Sequence, residues 1–175
     1  AVYAGDQSGL SHLEKTGISV LKYEMKKLSP DQVLIVGPGG KQLLSSNAKA
    51  IAKWIASGGN VLLIGQDQED VNTLLPFKVS MKKEEHISAY FEAPGMNSFF
   101  AGIGPADVHN RAPKEVSLVS GGAGIIGNGI LAKAENANVI FCQLVPWQCD
   151  YSKEQHNVKQ TYRRSSFLLN RLLGN

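Results

Sequence analysis

The chain has 175 residues, 43% of them apolar and 19% charged, with a net charge of +3. These totals exclude disordered and collagen-like classes and fit one ordinary globular domain with a real core. Unbroken apolar runs stop at about six residues, far short of the ~18 that span a bilayer, so a membrane is not an expected partner.

The start at Ala1, without an initiator Met and almost at once in a strand pattern, predicts an excised domain or a processed product. "AVYA" reads as a strand and "SGLSHLEKTG" as a short helix closed by Gly17. "ISVLKYE" alternates like a strand, and "QVLIVGPGG" is a wholly apolar strand that ends in a Gly-rich turn. Residues 45–57 form an amphipathic helix with Ala48, Ile51, Ala52 and Ile55 on one stripe, stopped by Gly58 and Gly59. "NVLLIG" follows as a second fully apolar strand. Continuous Val/Leu/Ile strands joined by helices predict a mostly parallel sheet covered on both faces, a doubly wound α/β domain.

The middle, about 75–120, has a different texture, with Pro76, Pro94, Pro105 and Pro113 among many polar residues. It reads as an irregular insertion too short for its own core, with "HISAYFEA" as a candidate edge strand. The chain returns in "NGILAKAENANVIFCQLV", two strands about a turn at "AENAN". It closes with a helix in which Lys159, Arg163, Arg164 and Arg171 sit among Val158, Phe167, Leu168 and Leu172. Apolar residues at helical spacing with late cations describe a docked terminal helix rather than a nucleic-acid face. Cys142 falls inside a strand as a buried thiol and Cys149 in the loop beyond it; two cysteines make no disulfide framework, and a single bridge between them is the alternative.

Two phosphate motifs fail in context. Gly122, Gly124 and Gly127 spell G-x-G-x-x-G, but "NGILAKA" after them reads as strand, whereas a dinucleotide loop needs a helix N-terminus there. "GPGGKQ" has Ile35 where a P-loop needs Gly and Gln42 where it needs Ser or Thr. No cofactor is expected. Glu84, Glu85 and His86 are adjacent in an extended stretch, so they point to opposite faces and predict no metal site.

The order of a strand ending in "GPGG", a helix, a strand ending in "LLIGQDQ" and a late strand ending in "QLVPW" resembles the class I glutamine amidotransferase-like, flavodoxin-like fold. The resemblance implies a Gly-Pro-Gly loop at the oxyanion site, a G-x-C-x-G elbow with the nucleophile, and a Q-F-H-P-E segment with the His and Glu. Here Gly37, Pro38 and Gly39 keep the loop, but the elbow around Gly65 and Gln66 has no Cys, Ser or Thr. In the last segment Gln143 and Pro146 match, while Val145 stands for the His and Trp147 for the Glu. A thiolate, an imidazole and a carboxylate are all required for that chemistry, so the chain alone is not expected to be an enzyme and has no expected catalytic residue. "LSPDQVLIVGPGG", "AGIGPADVHNR" and "FCQLVPWQ" look like triad-less accessory domains of bacterial β-galactosidase-like glycoside hydrolases, including the trimerisation-type domain. That resemblance implies a structural, oligomerising or cleft-shaping role. It implies as partners the catalytic domain of a parent chain, a second copy and carbohydrate, and as location the periplasm or exterior.

Other polar residues define candidate contacts. Asp107, His109 and Arg111 alternate in "ADVHNR", so in an extended loop they share a side, as a ligand pocket or as a loop brace. Asp107 and His109 also supply a route to an unrecognised hydrolase. Asp67, Glu69 and Asp70 lie at the sheet's C-terminal edge, as a site or as an acidic helix start. Trp147 there is suited to stack on a sugar, to meet a neighbouring domain or to cover the core. Gln66, Gln143 and Gln148 are neutral hydrogen-bonding groups in the same neighbourhood.

Overall fold

The computed structural model describes residues 1–149 and 156–174. Its centre is a seven-stranded sheet in the order β2 (Leu21–Lys22), β1 (Val2–Ala4), β3 (Val33–Val36), β4 (Asn60–Ile64), β9 (Val139–Cys142), β8 (Leu131–Lys133), β7 (Gly124–Ile126). The five strands from β2 to β9 are parallel; β8 and β7 continue the sheet antiparallel.

The uninterrupted apolar strands follow from burial on both faces. Leu34, Val36, Val61, Leu63, Val139 and Phe141 point to one side. There they pack with Leu44 of α2 (Gly40–Leu44), Ile51 and Ile55 of α3 (Ala48–Ala56), and Val71 and Leu74 of α4 (Gln68–Leu74). Ile35, Leu62, Ile64, Ile140 and Cys142 point to the other side, against Leu13 of α1 (Gln7–Lys15) and Leu168, Leu169 and Leu172 of α5 (His156–Gly174). Each fully buried Leu or Ile contributes about 1.5–3 kcal/mol of transfer free energy. The doubly wound sheet read from the sequence is therefore present.

Several elements differ from expectation. Only Leu21 and Lys22 of "ISVLKYE" pair with β1. The segment after the Gly-rich turn forms α2 at once, before a 3-10 turn at Ser45–Asn47 leads into α3. In the insertion, "HISAYFEA" contributes only His86 to a strand, and Ile87 and Tyr90 are 45% and 84% exposed. The strands there are β5 (Ser80–His86) and β6 (Lys114–Gly121), a separate antiparallel ribbon. Ala89, Phe100, Ile103, Val108 and Leu118 of the insertion join the core under α5. His86 is fully buried, with Nε2 against the Val108 carbonyl at 2.7 Å and Nδ1 against the Asn128 amide at 3.0 Å. It braces the ribbon, and Glu84 and Glu85 beside it are exposed. The Gly122–Gly127 loop runs from β6 through β7, strand to strand. In α5, Phe167 lies 65% exposed rather than packed. No helix among the described residues is long and apolar enough to cross a membrane.

Candidate functional site

Open α/β sheets bind ligands outside the C-terminal ends of their parallel strands. At that edge β4 runs into a sharp turn: Gly65 has φ +58, Gln66 is buried and α4 starts at Gln68. This is the strand-turn-helix geometry of a nucleophile elbow, with a glycine at the residue of left-handed φ. A Cβ on Gly65 would overlap Val145 Cγ2 and come 3.8 Å from Pro38 Cγ. The Gly37–Gly39 loop, the turn at Gly65 and Val145, three residues past β9, thus meet at one point, and Val145 takes the space next to Gly65.

The neighbouring glutamines pair with each other. Gln66 N–H donates to Gln143 Oε1 at 3.1 Å, and Gln143 Nε2 donates to Gln66 O at 2.8 Å and to the Ser117 carbonyl. Gln66 Nε2 donates to Ile64 O at 2.9 Å. Both side chains are 2% exposed or less, so these bonds satisfy buried groups in a neutral network tying β4 and β9 to β6. Beside them lies a polar recess of about 240 Å³, bordered by Asp67, Lys83, Glu115 and Gln148. Ser117 Oγ donates to Asp67, a pair the sequence did not signal because the two residues sit on different elements. Glu69 and Asp70 face Lys41 at 4.0 and 3.0 Å, which makes them an acidic helix start paired to α2.

The crevice between β1 and β3, where the strand order reverses, is filled from within. A Cβ on Gly5, Gly9 or Gly37 would run into the Tyr3 phenol, so these three glycines make room for that ring. Tyr3 is 1% exposed and its hydroxyl lies 3.4 Å from Asp6 Oδ1; burial first and Asp6 second push its pKa up. Trp147 closes the same end, edge-on to Tyr3 with centroids 6.4 Å apart and tilted on His12 at 5.5 Å. Its ring is engaged inside the domain. Trp147 Nε1 and His12 Nε2 are both buried without a hydrogen-bond partner, and burial, then Lys15, keep the His12 pKa low.

Asp107, His109 and Arg111 do not converge. Asp107 lies in a 3-10 turn at Pro105–Val108 rather than in an extended loop. Its Oδ2 accepts from Gly104 N–H at 2.8 Å and from Arg171 Nη1 at 3.1 Å, near the end of α5. Arg111 reaches the start of the same helix, donating from Nη1 to Asn157 Oδ1 at 2.9 Å and from its N–H to Thr161 Oγ1 at 3.0 Å. His109 is half-buried between them. Asp107 and Arg111 fasten the insertion onto α5. Cys142 and Cys149 are both free thiols, and burial pushes Cys142 up to about 12. Burial raises Cys149 as well.

No protein-family profile matches the chain, and no curated protein matches its sequence. Solved structures do match in shape. PurLQS from Thermotoga maritima superposes with a TM-score of 0.55 at 13% identity, over 99% of this chain and 96% of that one. A GMP synthase-type protein from Thermoplasma acidophilum gives 0.49 at 10% identity, over 99% and 97%. At such identities the likeness is one of fold, and with the parallel sheet and its helical layers it is that of a glutamine amidotransferase-like, flavodoxin-like domain.

Proposed function

We propose that the chain is a non-catalytic amidotransferase-like domain serving a larger enzyme as an accessory part, by assembly or by shaping a cleft. The observation that supports this reading is the turn after β4, where a Cβ on the left-handed Gly65 would overlap Val145, the residue that the resemblance aligns with the histidine. Exposed apolar side chains in the insertion, Tyr90 at 84% and Met96 at 95%, suit a surface that meets another domain or copy. At the finest grain, the resemblance of "AGIGPADVHNR" and "FCQLVPWQ" supports a β-galactosidase-like glycoside hydrolase as the parent, in an exported location. Carbohydrate binding through Trp147 has less support, because its ring packs on Tyr3 and His12.

The test is to assay the purified chain with glutamine and with nitrophenyl glycosides, and to read the gene on either side of it. No saturable turnover, with a barrel bearing paired carboxylates in the same reading frame, is the expected result. Saturable turnover lost in Asp107→Ala or His109→Ala contradicts the reading and assigns a hydrolase instead.

A further inference from the structure

We infer that the recess between residues 23–28 and α3 is a binding site for a small organic anion with an apolar body, of the fatty-acid or aryl-carboxylate kind. It lies under α3, apart from the filled elbow, and does not depend on the accessory-domain reading. Its volume is about 530 Å³, within the ~300–1,000 Å³ of small-ligand sites. Tyr23, Met25 and Leu28 form one wall, and Ile51 and Trp54 of α3 the other.

The polar atoms of these walls are already committed. Asn47 Nδ2 donates to Tyr23 Oη at 3.0 Å and to the Met25 carbonyl at 3.2 Å, and Trp54 Nε1 donates to Ser29 O at 3.2 Å. What remains toward a ligand is mostly carbon, held open by three hydrogen bonds that fix loop to helix. Met25 is the one non-glycine residue of positive φ among the described residues, at +58. Strained backbone of this kind persists where surrounding contacts over-determine it, often at ligand clamps. Its thioether is 67% exposed at the mouth of the recess, an adaptable wall.

The rim supplies the charge preference. Lys26, Lys27 and Lys53 border the recess, and no carboxylate does. Lys26 is paired with Glu24 at 2.6 Å, whereas Lys27 and Lys53 make no ion pair among the described residues. Two uncommitted ammonium groups beside a carbon-lined cavity suit an anionic head on an apolar body. Strand addition by a peptide has no edge here, since β2 ends at Lys22, before the first wall residue.

The test uses the full chain and 8-anilinonaphthalene-1-sulfonate, an aryl anion that brightens in apolar sites, displaced by dodecanoate or by dodecanol. The expected result is saturable 1:1 uptake with energy transfer that Trp54→Phe removes and Trp147 does not replace. Dodecanoate should displace the probe at ~10-fold lower concentration than dodecanol, a gap of about 1.4 kcal/mol. Lys27→Glu with Lys53→Glu should close that gap, and Ala50→Phe, a plug from an exposed helix position, should abolish uptake. Thermal melts of these variants check that they fold. Absence of saturable uptake, unchanged uptake in folded Ala50→Phe, or equal displacement by acid and alcohol overturns the proposal. Preference for an acidic leucine-bearing peptide over dodecanoate also overturns it and assigns the recess to a protein partner.

Discussion

The elbow after β4 and the recess beside α3 use the same ingredients in opposite ways. At the elbow, Gly65 packs on Val145 and the two glutamines Gln66 and Gln143 bond each other, beside a polar recess bordered by Asp67, Lys83 and Glu115. At the recess, an asparagine and a tryptophan commit their hydrogen bonds to holding two walls apart, leaving an apolar space with cations at its mouth. The two regions thus differ in what they leave open: a small polar recess at the elbow and a larger apolar one beside α3.

The largest expected effect is at the elbow. Gly65→Ala puts a Cβ on a left-handed residue and into Val145, so it should lose ~3 kcal/mol of unfolding free energy by chemical denaturation. Gln143→Leu keeps volume but strands the Gln66 N–H, for a loss of ~2 kcal/mol. A loss near zero would mean that water replaces the amide and that the corner is open.

A smaller effect is expected from pH. His12 and His86 are both held below the ordinary histidine value by burial. The unfolded chain therefore takes up protons first as pH falls through about 6.5, and stability present at pH 7.5 is lost toward pH 5. Thermal melts should show this, with a flatter profile for His86→Gln. Asp107→Ala should cost under ~1 kcal/mol because Arg171 is partly solvated. Smallest of all, Ala50→Phe in the recess should stay within ~0.5 kcal/mol of the parent, a plug accepted where the elbow refuses even a methyl group.

The parallel strands were legible because burial on both faces wrote β3, β4 and β9 as unbroken apolar runs. The meeting of the Gly37–Gly39 loop, Gly65 and Val145 was legible because their glycines and prolines mark the turns at one edge of the sheet. The ribbon was not: "SMKKEEH" of β5 has only its end residue buried, so no apolar alternation marks it. "HISAYFEA" alternates without pairing, and its Ile87 and Tyr90 face solvent. The recess was hidden for another reason, since its two walls are separated in the chain and are joined by side chains such as Asn47 and Trp54.

The most direct measurement is a double-mutant cycle at the elbow: Gly65→Ala made in the parent and again in Val145→Ala, each unfolded by denaturant. A filled elbow predicts strong coupling, with the cost of Gly65→Ala falling from ~3 to ~1 kcal/mol once the valine is trimmed. Additive costs would mean that the two positions do not pack on each other, and would contradict the account of a site closed by its own side chains.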